Sequence, residues 1–150
     1  VISSNSLRGW KIPIWVLLAT CLVPASTSGQ QGLDEEAARF AARWSAGDSE
    51  ALAQAMRSEG IRLTVLGEEH VAIQPKQAQA ALRSLLGRYP RGQTTVTRVS
   101  AVGGDPSQGF AEIRWRTQAS GVPDPVIFSI FVGYVLEEQG WRVTEIRVFY

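Results

Sequence analysis

Few side chains in this 150-residue chain are of a kind that does chemistry. Its one histidine, His70, closes the run Gly67-Glu68-Glu69-His70. A histidine oriented by a carboxylate is the pairing a general base needs; a solvated turn residue is the plainer reading. Glu112 and Glu145 fall in strand-like segments. A carboxylate turned into an apolar interior loses hydration, and its pKa rises toward the range useful for proton abstraction. Glu145 is the candidate for that role, with Tyr134 as a hydrogen-bond donor. The alternative is an outward Glu145 paired with Arg114, Arg116 or Arg147. One histidine cannot build a three-histidine metal site, and no carboxylate spacing supports another, so no metal or cofactor is expected. Gly103-Gly104-Asp105 lacks the following helix that a phosphate loop requires. Ser120-Gly121-Val122 is no nucleophile elbow.

Binding is better supplied than catalysis. Arg98, Arg114, Arg116, Arg142 and Arg147 all fall on predicted strands, with Trp115 or Trp141 nearby. Gathered on one face, they suit an anionic ligand or glycan; dispersed, they are a solvated face with ordinary ion pairs. Nucleic acid is not expected. Once Arg8 and Lys11 are assigned to a leader, thirteen basic residues stand against fourteen acidic ones. That is no electrostatic footprint for a polyanion.

The leader is read from its order. Residues 1–11 carry Arg8 and Lys11, Ile12 to Val23 is apolar, and Pro24-Ala25-Ser26-Thr27-Ser28-Gly29 brings small residues. Positive, apolar, small is the pattern of a secretory signal peptide. The apolar core falls short of the roughly 20 residues of a spanning helix. Residues 1–29 are therefore expected to be a signal peptide, cut between 25 and 29, and Val23-Pro24-Ala25 is one acceptable site. The product is extracytoplasmic, periplasmic or secreted, with no membrane span. Leu18-Ala19-Thr20-Cys21 offers lipid anchoring at Cys21 as the alternative. With a later cut the mature chain, 30–150, has no cysteine, hence neither disulfides nor thiol catalysis.

The mature chain reads as one domain. Gln30-Gln31-Gly32 is a polar lead-in, and Asp34 caps a first helix whose apolar face is Ala37, Phe40, Ala41 and Trp44. Gly47 stops it, and Asp48 starts a shorter helix with Ala51, Leu52, Ala55 and Met56 as its apolar face. Ile61 to Leu66 and Val71 to Ile73 form a short hairpin around a turn at 67–70. Pro75 opens a third helix with Ala78, Ala81, Leu82, Leu85 and Leu86 on one stripe. Four strands follow: Thr94 to Val102, Phe110 to Thr117, Val126 to Leu136 and Trp141 to Tyr150. The alternation in the last of them changes parity near Thr144, which points to a bulge. The fold class is α+β: three N-terminal helices and a short hairpin packed on a curved antiparallel sheet, a four-stranded C-terminal meander, cone-like.

This order, with these junctions, resembles the nuclear-transport-factor-2-like fold, the α+β cone shared with cystatin-like proteins. Within it the chain is similar to a family of small exported bacterial proteins, DUF4783. The likeness rests on Trp44-Ser45-Ala46-Gly47-Asp48, on Ile61-Arg62-Leu63-Thr64-Val65 leading to Gly67-Glu68-Glu69, on Pro75-Lys76-Gln77-Ala78 and the later Tyr89-Pro90, and on Gly140 to Val148. The third helix ends Leu85-Leu86-Gly87-Arg88-Tyr89, without the phenylalanine pair expected there. The resemblance implies a pocket between helices and sheet, lined by Phe40, Trp44, Trp115, Phe128, Tyr134 and Trp141, unless these are simple core. Relatives of the fold include isomerases and dehydratases as well as non-catalytic binding domains, and fold does not choose among them.

Val126 to Leu136 is apolar on both parities, whereas a strand with one wet face alternates. A second subunit packed on the sheet, or a pocket, must take the other face. The expectation is an exported non-catalytic domain that binds a small apolar or anionic ligand or a protein partner and forms a homodimer through its sheet. The alternative is a small isomerase or dehydratase using an acid in the cone.

Overall fold

The computed structural model describes residues 28–90, 92–105 and 107–150. Almost all of the segment expected to be a leader, residues 1–29 with Cys21, lies outside them. Helix α1 (Ser28–Ala46) is followed by the short α2 (Ser49–Gln54), strands β1 (Ile61–Val65) and β2 (Glu68–Ile73), and helix α3 (Pro75–Arg88). The chain ends in β3 (Gln93–Val102), β4 (Gln108–Gln118), β5 (Pro125–Glu137) and β6 (Gly140–Phe149). Among the described residues, no helix is long and apolar enough to cross a membrane.

The α+β class holds, and the C-terminal strands pair antiparallel in sequence order. The sheet is larger than a four-stranded meander and is not wholly antiparallel. β1 joins β6 in parallel, giving one six-stranded mixed sheet in the order β2-β1-β6-β5-β4-β3. The connection is topological: β1 reaches β6 only after the third helix and four strands have intervened, so no local pattern announces it.

Helix α1 begins earlier than Asp34, and its first turn contains no acid. Its start is fixed by docking rather than by a carboxylate cap. Leu33 is fully buried, and a Cβ on Gly109 of β4 would overlap its methyl groups. Gln30 bridges two elements: its Oε1 accepts from Ala101 N at 3.0 Å, and its Nε2 donates to Asp34 Oδ1 at 3.0 Å. The buried stripe then continues through Ala37, Phe40, Ala41 and Trp44. Gly47, at φ 70°, takes the left-handed conformation that ends the helix. Asp48 caps α2 by accepting from Ala51 N at 3.0 Å.

The hairpin turns earlier than residues 67–70. Leu66 (φ 51°) and Gly67 (φ 92°) are its two central residues, and Glu68, Glu69 and His70 belong to β2. Two positive φ values in a two-residue loop match the right-handed twist of the flanking strands. α1 lies along β3 and α2 packs on α3, so the helices share one face of the sheet. The core between them runs from Leu33 to Val148 and includes five aromatic side chains from opposite layers: Phe40, Trp44, Trp115, Phe128 and Tyr134.

Candidate functional site

The expected bulge near Thr144 decides which way Glu145 points. Gly133 of β5 pairs with Glu145, and Tyr134 pairs with Val143, so Thr144 is the extra residue on β6. This lets Val143 and Ile146 both turn inward, each fully buried, and turns Glu145 outward. Glu145 shares its face with Arg62, whose neighbour Leu63 is buried on the other side. Its Oε1 lies 3.4 Å from Arg147 Nε and 3.9 Å from Arg62 Nη1. Gly133 leaves room for it: a Cβ there would stand 3.2 Å from the Glu145 Cβ.

His70 pairs with Leu63 and so lies on the face opposite to Glu145. Its Nε2 is 3.7 Å from Glu68 Oε1, and its side chain is 41% exposed on an edge strand. Tyr134 points into the core, where its hydroxyl has no hydrogen-bond partner among the described residues. Burial, with the nearby Glu36 carboxylate adding to it, drives the phenol far above its usual pKa. The acid, the histidine and the tyrosine thus occupy three separate environments. Among the described residues, no group of three or more His, Cys, Asp and Glu gathers to hold a metal.

The six aromatic residues read as pocket lining are brought to one side of the sheet, and all are at most 9% exposed. Four of them form a chain of touching rings. Phe40 to Trp44 is 5.8 Å between centroids, Trp44 to Trp115 5.5 Å and Trp115 to Phe128 5.1 Å. Tyr89 adds an edge contact to Phe128 at 4.9 Å. These rings fill the interior with one another. Two indole N–H groups, of Trp44 and Trp115, have no partner inside it among the described residues. A Cβ on Gly92 would overlap Trp115 Nε1, so backbone closes over that group. Trp141 stands apart. Its Nε1 donates to Gly29 O at 3.2 Å, and it borders a cleft of about 380 Å3 with Glu36, Arg39, Arg43 and Arg142. Arg39 and Arg43 already close on the Glu36 carboxylate, at 2.7 and 3.6 Å.

The open face of the sheet carries the densest mixture of charge and apolar surface. Four of the five arginines singled out, Arg98, Arg114, Arg116 and Arg147, are exposed there. Arg142 is not among them: its Nη1 donates to Gln54 O at 2.8 Å and its Nη2 to Gln139 Oε1 at 3.1 Å. Neither Trp115 nor Trp141 lies on that face. Phe110 and Phe131 take their place, stacked at 5.6 Å. The Arg98 guanidinium sits 5.2 Å from the Phe110 ring centre, and that of Arg147 4.3 Å from Phe131. A groove of about 670 Å3 runs over Ser129, between Thr97, Glu112, Arg114, Phe131, Arg147 and Phe149. The phenylalanines were overlooked as site residues, although their positions, opposite in parity to Ala111, Ile113 and Ile130, mark them as outward.

This architecture is the nuclear-transport-factor-2-like, cystatin-like α+β cone, and solved structures agree. A domain of unknown function with a cystatin-like fold from Nostoc punctiforme superposes with a TM-score of 0.63 at 14% identity, covering 83% of this chain and 78% of that one. A ketosteroid-isomerase-like-fold protein from Catenulispora acidiphila, solved in complex with trimethylamine, gives 0.60 at 16% identity, covering 77% and 85%. A DUF4783 family protein from Bacteroides ovatus gives 0.57 at 14% identity, covering 73% and 90%. The resemblance drawn from the sequence is to these same groups. At such identities the likeness is one of fold. No family model matches the chain, and no curated protein is similar to it.

Proposed function

We propose that this is an exported, non-catalytic domain that works by association, through the face of its sheet that the helices leave open. The observation that carries the reading is the composition of that face. The stacked Phe110 and Phe131 lie at its centre, and Ile127 and Phe149 are 54% and 48% exposed beside them. Apolar side chains set among arginines are what the centre of a protein interface contains. The interior offers less: its aromatic rings are packed on each other. The isomerase or dehydratase alternative needs an acid and a donor converging on one pocket, and Glu145, His70 and Tyr134 are dispersed. Export rests on the leader sequence.

A second copy of the chain is one candidate partner. It would cover the outer row of β5, which runs Ile127, Ser129, Phe131 and Gly133. Native mass spectrometry of the exported protein tests the reading. A dimer or a co-purified partner is expected, and the double substitution I127S/F149S should dissociate it. An assembly indifferent to those substitutions would refute this face. A small mass released only on denaturation would return attention to the interior.

A further inference from the structure

The charge of the open face is unbalanced. Arg62, Arg98, Arg114, Arg116 and Arg147 stand on it against Glu69, Glu112 and Glu145. Every glutamate is engaged: Glu69 with Arg62 at 3.7 Å, Glu112 with Arg98 at 4.0 Å, and Glu145 with Arg147 and Arg62. Arg114 and Arg116 are the surplus, with no carboxylate within 4 Å among the described residues. They occupy successive outward positions on β4, so their Cα atoms are about 7 Å apart. Across β5 they face Ser129 and Ile127, and Phe149 lies beyond Ser129. Two free guanidinium groups therefore border two exposed apolar side chains of the face, Ile127 and Phe149.

We propose, resting on the reading of this face as the association surface, that its partner is an acidic peptide segment bound in extended form. Carboxylates at alternate positions of an extended chain have the same spacing of about 7 Å, and arginine takes a carboxylate in a paired, charge-assisted contact. Apolar side chains of the same segment cover Ile127 and Phe149. A second copy of this chain brings the same two surplus arginines, and like charges facing each other weaken association. An acidic sugar polymer gains from bare aromatic faces, and at the centre of this sheet Phe110 and Phe131 already carry Arg98 and Arg147 on theirs.

The test is fluorescence anisotropy of a labelled Glu-Leu-Glu-Leu-Glu peptide with the exported protein. Binding is expected at about 0.05 M salt and should weaken about tenfold or more at about 0.3 M, as screened charge pairs do. R114E/R116E should lower affinity by a similar factor and gain binding to the Lys-Leu-Lys-Leu-Lys counterpart. Both side chains are exposed, so an unchanged circular dichroism spectrum identifies a folded variant. No binding by the wild type, or unchanged binding by the folded variant, overturns the proposal. So does a sulfated polysaccharide that binds through these arginines where the peptide does not. If I127S/F149S still dissociates the native assembly while the peptide fails, the partner class is wrong and the face stands. If both fail, the face is wrong as well.

Discussion

Tyr134 carries a hydroxyl into the core and finds no acceptor there among the described residues. A buried, unpaired polar group costs about 1–3 kcal/mol. Tyr134→Phe should therefore stabilise the domain by about 1 kcal/mol or more, read as a raised denaturation midpoint. A catalytic donor would give the reverse pattern, with function lost and stability kept. The pH dependence follows from the direction of the shift. Below the ordinary tyrosine pKa of about 10 the phenol is protonated in both states. Above it, the unfolded chain releases the proton and the folded one holds it, because burial keeps the folded pKa high. The unfolded state then binds fewer protons, and stability falls as pH rises. The fall between about pH 9 and pH 11 should be smaller in Tyr134→Phe than in wild type, measured by urea midpoints. Glu145 gives the contrasting case. It is an outward carboxylate between Arg62 and Arg147. Glu145→Gln should cost no more than about 1 kcal/mol. A larger loss in chemical denaturation would mean that the bulge depends on that charge.

One inserted residue sets the orientation of a whole strand. Thr144 allows Trp141 and Val143 on one side of it, and Ile146 and Val148 on the other, to reach the same core. Deleting Thr144 must turn one of those pairs to solvent. The loss should reach about 3–5 kcal/mol or more, since two large side chains leave the interior together. Urea unfolding followed by tryptophan fluorescence measures it, and an undiminished midpoint would show that β6 can slip. Gly92→Ala is a sharper probe of the same layer, because its Cβ would overlap Trp115 Nε1. It should cost about 1–3 kcal/mol. The bulge was legible in the sequence because it breaks an alternation. The helices were legible because Phe40, Ala41 and Trp44, or Leu82, Leu85 and Leu86, repeat at helical spacing. The hairpin turn was misplaced because Leu66 sits at φ 51°, a conformation that an apolar side chain does not advertise. The parallel β1–β6 pair was invisible for a different reason: its partners are distant in sequence and each looks like an ordinary strand alone.

At the scale of the molecule, the helices cover one face of the sheet and also guard one edge. Thr94 N donates to Ser45 Oγ at 3.1 Å and Ala101 N to Gln30 Oε1 at 3.0 Å, so α1 satisfies both ends of the β3 edge. At the other edge, Ala72 at φ 55° interrupts β2. What remains for a partner is the open face. Its arginines could be listed from the sequence, but the phenylalanines between them emerge only once the β4–β5 register is known. The first turn of α1 belongs to this whole-molecule design. Gly29 O receives Trp141 Nε1, Gln30 receives Ala101 N, and Leu33 is seated on Gly109. A signal-peptide cut ahead of Ser28, such as the one after Ala25, keeps all three contacts; a cut after Gly29 removes the carbonyl that Trp141 uses. If the chain is exported as proposed, the intact mass of the product should therefore place its first residue at 26–28. A chain beginning at Asp34 should be less stable than one beginning at Ser26 by about 2–5 kcal/mol, the cost of emptying a buried leucine site. Equal thermal midpoints for the two chains would mean that β3 and β6 hold their positions without the helix start, and that the cut is free to fall later.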